Sequence, residues 1–288
     1  MAKLNNLPRD VYNLMVNREV DPSTTLEEQA KAFGEECEQI MLSVMEPQKD
    51  RSGSLRLSAI GKPARQQYMG YHGVPGEEIE GATYIKFLYG HLIEAMVVSL
   101  AKMSGHTVER QQEVVHCGPV KGHIDGFVDG TLVDIKSASS KGFKKFEKNE
   151  LHLDDAFGYI GQLKAYAHAL EQDKFGWIAL DKTTGRLCVL EYDTKDKDAP
   201  YADTINYDIV KHVDTIVKTV EGDTPPPRCY EDEPAGKSGN RKLAVGCAFC
   251  PYKHTCWDNL REFKYSNYTE YLTHVSKTPR VEEIPSGF

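Results

Sequence analysis

The sequence has no excess of positive charge. Its 35 lysine and arginine residues are outnumbered by 43 aspartate and glutamate residues, giving a formal net charge of −8 at pH 7. A protein that coats nucleic acid without specificity is usually basic overall, so this balance disfavours that class. An enzyme that meets DNA through a local basic strip, while its carboxylates hold a metal ion, remains compatible with an acidic chain.

Long apolar runs, internal repeats and low-complexity tracts are also lacking. The opening residues, MAKLNNLPRDVYNLMV, have no signal-peptide core, and no apolar run approaches the length of a membrane span. We therefore expect a cytoplasmic protein (in the host cytoplasm if a phage encodes it) without a membrane partner. Because thiols stay reduced there, seven cysteines, an odd number, indicate metal ligands or buried thiols rather than disulfides.

Hydrophobic periodicity predicts an α/β protein. Helical spacing recurs near residues 26–46, 78–104, 155–171 and 200–221. Short β-branched segments predict a strand meander at 107–117, 121–129 and 131–137, and a hairpin at 175–181 and 186–192. We divide the chain into a helical region at 1–54, a core at 55–222, a cysteine module at 223–264 and a tail at 265–288 with few core-forming residues.

Two carboxylates and a lysine are the strongest candidates for chemistry. Asp125 is predicted on one strand, and Asp134 and Lys136 share a face of the next, joined through a short connection at Gly130. Apolar residues flank all three, so the charges emerge from a mostly buried sheet, where unpaired charge is costly. They form a structural ion pair, or they hold a divalent cation beside a lysine that orients or deprotonates water.

Polar residues on the neighbouring predicted helices favour the second interpretation. His91 and Glu94 are three residues apart on the helix at 78–104, off its buried stripe, and either can complete a metal shell. Gln162 and Tyr166 are four residues apart and share one face of the helix at 155–171. In isolation, each pair is also explained by ordinary packing.

The order of these elements resembles the RecB-like branch of the PD-(D/E)XK nucleases, which includes phage and CRISPR-associated exonucleases, over roughly residues 55–257. The resemblance implies a restriction-endonuclease-like fold, with a mixed central sheet flanked by helices and a small cysteine-stapled C-terminal module. It implies a catalytic set of Asp125, Asp134 and Lys136. The implied ligands of Mg²⁺ or Mn²⁺ are His91, Asp125, Asp134 and the backbone carbonyl of Ile135, with Glu94 as a further candidate.

Several residues are candidates for DNA contact. The resemblance implies that Gln162 and Tyr166 support the site and steady the DNA strand, and that Arg65, at the end of the entry-like segment SAIGKPAR, faces DNA. A basic stretch follows Lys136, with aromatic residues that can stack on bases, although a solvated loop explains the same pattern. Its candidate contacts are Lys141, Lys144 and Lys145, and its aromatic residues are Phe143 and Phe146.

Four cysteines near the C-terminal end are dense enough to indicate a metal site: Cys229, Cys247, Cys250 and Cys256. Their spacing suits structural Zn²⁺ and a 4Fe-4S cluster equally. RecB-like nucleases with an iron–sulfur cluster share the C-x2-C-x5-C ending, which favours the cluster. Their fourth cysteine comes from the entry segment, where this sequence has none, and Cys229 takes its place.

These features together predict a metal-dependent DNA exonuclease used in DNA recombination or phage-type processing. Two alternatives remain open: an endonuclease or flap nuclease on the same fold, and a catalytically inactive DNA-binding subunit. Some relatives form toroids, so a homo-oligomer or a recombination partner protein also remains open.

Overall fold

The computed structural model describes residues 2–47, 52–266 and 268–285. Its helices and strands are named here in chain order. The first helices are α1 (Leu7–Asn17), α2 (Leu26–Met45), α3 (Ala64–Tyr71) and α4 (Gly81–Met103). Five strands come next, β1 (Val108–Glu109), β2 (Val114–Cys117), β3 (Val120–His123), β4 (Gly126–Val128) and β5 (Thr131–Ala138). The core then continues through α5 (Ser140–Glu147), α6 (Tyr159–Ala169), β6 (Lys174–Asp181), β7 (Leu187–Asp193), α7 (Ala202–Ile205) and α8 (Ile209–Val220). The C-terminal part contains β8 (Glu233–Pro234), β9 (Arg241–Lys242), α9 (Val245–Ala248), α10 (Lys253–Cys256), β10 (Arg261–Lys264), β11 (Thr269–His274) and β12 (Glu282–Ile284).

A mixed five-stranded sheet with the order β1-β4-β5-β6-β7 forms the centre of the fold. Strands β5 and β6 run parallel, and the other neighbours are antiparallel. A parallel pair needs a crossover, which α5 and α6 provide here. The predicted fold class, a mixed central sheet flanked by helices, is confirmed.

The central strand β5 separates two hydrophobic layers. Leu132 packs into the layer that includes residues of α6 and α8, whereas Val133 and Ile135 pack into the layer that includes residues of α1 and α4. Alternation along the strand therefore turns Asp134 and Lys136 toward the α6 side. This placement brings both charged residues next to a buried helix face.

Helix α4 is the longest helix of the described residues and carries little charge. It is long and apolar enough to cross a membrane by length and composition, although no such run was expected from the sequence. A single helix of this kind is weak evidence for a membrane, because core helices pass the same test. Its C-terminal half supplies Val97, Val98 and Ala101 to the core, while its N-terminal half leaves Phe87 and Tyr89 exposed.

The strands between 107 and 138 do not form the predicted meander. Strands β2 and β3 pair as a separate hairpin, and β1, β4 and β5 pair in the central sheet. Asp125 lies between β3 and β4, outside any strand. The predicted helix at 200–221 is interrupted as well, because Asp208 accepts a hydrogen bond from the Lys211 backbone at 3.0 Å and so caps α8 as a new helix.

The segment predicted to be a tail contributes β11 and β12 to a second sheet, which has the order β12-β10-β11-β9-β8. Its apolar core is small and includes Phe263 and Leu272, both fully buried. Polar contacts add much of the support: the Arg261 guanidinium donates two hydrogen bonds of 2.7 Å to the Glu283 carboxylate across the sheet. Such contacts leave little hydrophobic periodicity, which explains the difference from the sequence-based division.

Candidate active site

Asp134 and Lys136 meet on the α6 side of β5. The Lys136 ammonium donates a hydrogen bond to Asp134 Oδ1 at 2.8 Å, and the Gln162 side-chain amide donates to the same oxygen at 2.9 Å. Asp134 is 2% exposed, and its second oxygen, Oδ2, lies 2.6 Å from the ammonium without hydrogen-bond geometry. Among the described residues, Asp134 Oδ2 is thus a buried acceptor with no hydrogen-bond donor.

Asp125 reaches the same place from the loop between β3 and β4. Its Oδ2 accepts a hydrogen bond from the Ile135 backbone N–H at 2.6 Å, which fixes the carboxylate beside β5. Burial raises the pKa of Asp125 well above its usual value, and the negative charges of Asp134 and Glu94 raise it further. The predicted approach of Asp125 to Asp134 therefore occurs, through a loop rather than through paired strands.

Glu94 is the third carboxylate of this group. Burial raises its pKa to about 7, with a second contribution from the charge of Asp134, while Gln112 donates a hydrogen bond to Oε1 at 2.8 Å. Burial also raises the pKa of Asp134, although Lys136 and Gln162 oppose the shift. Three carboxylates that each resist ionisation in one small region indicate that a positive charge is needed there.

Lys136 is the cation that balances this group. Burial acts to lower the pKa of its ammonium, but the charges of Asp134 and Asp125 outweigh burial and hold the pKa above its ordinary value. The side chain as a whole remains 20% exposed. One lysine does not neutralise three carboxylates, and the donor set of acidic oxygens suits a hard divalent cation.

His91 lies one turn before Glu94 on α4 and is exposed. It lines a groove between α2 and α4 together with Glu36 and Glu94. Among the described residues, His91 is not within 4.8 Å of two further potential ligands. By the same criterion Glu94, Asp125 and Asp134 do not converge on one point, although their charges affect one another and Lys136 contacts Asp134. His91 has no such electrostatic or hydrogen-bond contact with this group among those the structure gives for the described residues.

Two features that the sequence-based prediction did not include fix the N-terminus of α6 beside the carboxylates. Asp155 accepts hydrogen bonds from the backbone N–H groups of Tyr159 at 2.9 Å and Ile160 at 2.8 Å, as a helix cap. Gly61 lies directly against Gly158, so that a Cβ at Gly61 would be 2.2 Å from the carbonyl oxygen of Gly158. An aspartate before a helical period is a recognisable cap signal, whereas the glycine contact has no signal in a single sequence.

Gln162 and Tyr166 are buried residues of α6 that support the site from the core. Tyr166 is 2% exposed, and a Cβ at Gly122 would meet its ring at 2.6 Å, which shows how closely the hairpin covers it. Gln162 is 8% exposed and holds Asp134. Their burial differs from the predicted contact with a DNA strand, because neither side chain presents a surface to a ligand.

The basic stretch after Lys136 forms the amphipathic helix α5. Phe143 and Phe146 are 1% and 4% exposed and pack into the core, so they do not stack on bases as the sequence suggested. Lys145 is engaged with Asp154, whose Oδ2 accepts from its ammonium at 2.6 Å. Lys141 and Lys144 are exposed on the outer face, where a DNA contact remains a prediction.

All four cysteines of the C-terminal region line one cavity next to α3. Burial raises the pKa of Cys247 to about 11, and the charges of the other three thiols act in the same direction. Arg65 Nε donates to Cys256 Sγ at 3.3 Å, and its guanidinium also contacts the carbonyl oxygen of Pro226. Arg65 therefore contacts this cavity, and its contact with DNA remains a prediction.

Comparison with known proteins gives distant likeness only. No protein-family model and no curated protein matches the chain. The chain is similar to the alkaline exonuclease LHK-Exo from Laribacter hongkongensis (14% identity, 64% of this chain and 94% of that chain, TM-score 0.38) and to LHK-Exo in complex with dAMP (13%, 57% and 92%, TM-score 0.36). It is also similar to a phage-related exonuclease from Haemophilus somnus 129PT (15%, 62% and 91%, TM-score 0.35). Likeness at this level assigns neither a family nor an activity to the chain.

Proposed function

We propose that this protein is a Mg²⁺- or Mn²⁺-dependent deoxyribonuclease that hydrolyses phosphodiester bonds at the carboxylate group around Asp134. The observation that carries the proposal is the electrostatic coupling of Glu94, Asp125 and Asp134 near one ammonium, with an oxygen of Asp134 that pairs with that ammonium but accepts no hydrogen bond. A purely structural ion pair does not need three carboxylates for one lysine. The arrangement suits a site that is completed by a cation and an anionic substrate.

The proposed ligands are carboxylate oxygens of Glu94, Asp125 and Asp134, with His91 and the carbonyl of Ile135 as further candidates. A divalent ion bound there supplies neutralisation of the phosphate charge and acidifies the attacking water. Gln162 holds Asp134 in orientation, and the Ile135 N–H holds Asp125. Both contacts keep the acidic oxygens in place without a cation, which lowers the reorganisation that catalysis requires.

Lys136 acts as a proton donor and phosphate contact in this scheme. Its raised pKa keeps the ammonium charged at neutral pH, and the side chain as a whole is partly exposed. A charged ammonium next to a scissile phosphate stabilises the negative charge that builds up in the transition state. General-base action by Lys136 would require deprotonation against the charges of Asp134 and Asp125, so we assign it the donor role.

Exonuclease action and a role in DNA recombination or phage-type processing are proposed from the motif resemblance. The metal-dependence test uses end-labelled linear DNA and covalently closed circular DNA with Mg²⁺, with Mn²⁺ and with EDTA. We expect linear DNA to be digested to short products, circular DNA to remain intact, and EDTA to stop digestion until the metal is restored in excess. Cleavage of circular DNA would indicate an endonuclease, and no hydrolysis under any condition would indicate an inactive DNA-binding subunit.

We also propose that the four cysteines hold a 4Fe-4S cluster, with structural Zn²⁺ as the alternative. Backbone N–H groups of Arg65 and Gln66 donate to the Cys229 thiol, so Cys229 occupies the place beside the entry segment that this sequence leaves without a cysteine. Among the described residues, no three of these sulfur atoms lie within 4.8 Å of one another. The preference for the cluster over zinc rests on the C-x2-C-x5-C ending of the sequence alone.

The absorption spectrum of anaerobically purified protein tests this assignment. We expect a brown sample that absorbs broadly in the blue and bleaches on reduction, and a Cys250→Ser variant that loses the colour. Cys37→Ser is the matched control, because Cys37 lies on α2 outside the cavity and its loss should leave the spectrum unchanged. A colourless protein with stoichiometric zinc would replace the cluster with the alternative.

A further inference from the structure

A row of three aromatic rings connects the cysteine module to the carboxylate group. The ring centroids of Phe249 and Phe157 are 6.0 Å apart, and Phe157 stacks on Tyr159 at 5.6 Å with an interplanar angle of 27°. The Lys136 ammonium lies 4.9 Å from the centroid of the Tyr159 ring. Phe249, Phe157 and Tyr159, hereafter the aromatic row, thus lead from the loop between Cys247 and Cys250 to the proposed catalytic lysine.

Two members of the aromatic row lie on the surface, while Tyr159 packs against the core beside Phe146. Phe249 is 70% exposed and Phe157 is 46% exposed, which is costly for large apolar side chains that have no ligand. Gly158 has φ +75 between Phe157 and Tyr159, and this left-handed residue turns the chain so that the two rings stack. The close approach of Gly158 to Gly61 then holds the turn in place.

Positive charge borders the aromatic row. Burial lowers the pKa of Lys62, and the like charges of Arg56 and Lys136 lower it further, while the Cys250 thiol acts in the opposite sense. Lys62 lies at the turn of the aromatic row, because a Cβ at Gly158 would be 2.7 Å from its backbone nitrogen. Two basic residues beside exposed rings, Lys62 and Lys136, match a ligand with negative charges along its length and flat apolar faces.

We propose that the aromatic row binds single-stranded DNA by base stacking and guides the strand to the carboxylate group. Phe249 and Phe157 each offer a ring face to a base, while Lys62 and Lys136 face the phosphate backbone. Base stacking on aromatic side chains tolerates any sequence, since every base has a flat π face. The cysteine module has a direct role in this scheme, because Cys247 and Cys250 flank the loop that presents Phe249 and a metal held by them would fix that loop.

The part of this inference in which the strand is guided to the carboxylate group rests on the proposed nuclease function. Base stacking on the aromatic row does not require hydrolysis. A protein partner is the main competing occupant of an exposed aromatic surface. The position of Lys136 and Lys62 along the aromatic row favours a polyanion as the ligand. A docking surface for a protein would not need aromatic rings that lead to a catalytic lysine. Measurements of DNA binding in the absence of hydrolysis therefore test the aromatic row separately from the proposed nuclease function.

The first measurement is binding of a fluorescein-labelled oligothymidylate to the full-length protein with its cysteine site loaded. EDTA is added to remove Mg²⁺ and prevent hydrolysis, at a concentration too low to strip the cysteine site. Phe249→Ala and Phe157→Ala should each weaken binding about five- to tenfold, the scale of one lost stacking contact. The loss should persist at all salt concentrations with an unchanged salt slope, because stacking releases no counterions. Phe249→Tyr should restore most of the affinity, since a tyrosine ring stacks as well.

Tyr268→Ala is the matched control, because Tyr268 is a 58% exposed aromatic residue in the turn between β10 and β11. Its loss should leave oligonucleotide binding unchanged. Hydrolysis of thymidine 5′-(p-nitrophenyl phosphate) tests the nuclease proposal separately, and its rate should be equal in wild type and Tyr268→Ala. Absence of that hydrolysis in wild type would count against the nuclease proposal alone.

The aromatic row would lose its proposed role under either of two outcomes. One is oligothymidylate affinity that is unchanged in both Phe249→Ala and Phe157→Ala, and the other is an equal loss of affinity in Tyr268→Ala. An oligonucleotide in which 2-aminopurine replaces one base provides an independent readout of stacking. Its fluorescence should be quenched on binding to wild type and recover in Phe249→Ala, and equal quenching in both proteins would contradict stacking.

Discussion

Replacement of Asp134 by asparagine should reduce metal-dependent hydrolysis of DNA at least about a thousandfold. A thousandfold loss corresponds to about 4 kcal/mol of transition-state stabilisation, within the range attributed to metal-ion catalysis. Asparagine keeps the shape of the side chain, and its amide oxygen can still accept the hydrogen bonds that Gln162 and Lys136 donate to Oδ1. The charge is lost together with the 2.6 Å contact between Oδ2 and the Lys136 ammonium, so folding of the variant is checked separately.

The same substitution should lower the stability of the metal-free protein. The charge of Asp134 stabilises the Lys136 ammonium against burial, so its removal leaves that ammonium with one carboxylate fewer. Thermal unfolding in EDTA should give a lower midpoint for Asp134→Asn than for wild type. The activity comparison is therefore made at a temperature where both proteins are folded.

Lys136→Ala should lower the rate to a similar extent, and Asp173→Asn provides the matched control. Asp173 contacts Lys195 in an ion pair on the surface, where both partners are about half exposed or more. Surface pairs contribute little to stability, so the control should retain its activity and fold. Full activity in Asp134→Asn and Lys136→Ala together would overturn the assignment of the site.

Stability of the metal-free protein should fall by about 3 kcal/mol as pH rises from about 4.5 to above 7, through the titration of Glu94 alone. The pKa of Glu94 is raised from 4.5 to about 7 in the folded chain, so the folded state binds the proton more tightly than the unfolded state. The contribution is fully present below the unfolded pKa and is lost as pH rises through about 7. Asp125 and Asp134 shift in the same direction and add to the trend.

Urea unfolding between pH 5 and pH 8 measures this effect, with EDTA in one series and excess Mg²⁺ in the other. We expect Glu94→Gln to flatten the profile in EDTA, because glutamine cannot ionise. Mg²⁺ should raise stability most at pH 8, where the carboxylates are charged and available as ligands. A Glu94→Gln profile that matches wild type would show that Glu94 is already ionised in the folded protein.

Sequence reasoning located the centre of the site because its signals are local. Asp134 and Lys136 lie two residues apart on a strand, and the period of a strand places both on one face. Glu94 emerged as a candidate for similar reasons, from its spacing on a helix with a strong hydrophobic period. The long helices and the hairpin of β6 and β7 were likewise predicted from periodicity, close to their observed bounds.

The differences arise where long-range packing decides the outcome. Phe143 and Phe146 alternate with lysines in the sequence, yet helical spacing turns both rings into the core and the lysines outward. Tyr166 is covered by Gly122 of the β2–β3 hairpin, a contact between segments far apart in sequence. The contact of Arg65 with Cys256 likewise joins segments far apart in sequence.

The C-terminal sheet shows a second limit of sequence reasoning. Strands β8 and β9 have two residues each, which is too short for an alternating pattern. Asn240 connects this sheet to the following segment by accepting hydrogen bonds from the backbone N–H groups of Ser276 at 2.9 Å and Lys277 at 2.8 Å. Neither contact leaves a trace in composition or spacing.

The contact among Gly61, Gly158 and Gly161 restricts how this chain can evolve. A Cβ at Gly161 would lie 2.6 Å from the Cα of Gly61, and one at Gly158 would lie 2.3 Å from the carbonyl carbon of Gly61. Compensation by a smaller neighbour is impossible, because each neighbour is already glycine. Substitutions can therefore accumulate around these three positions but not at them, and lineages that keep the site should inherit the three glycines together.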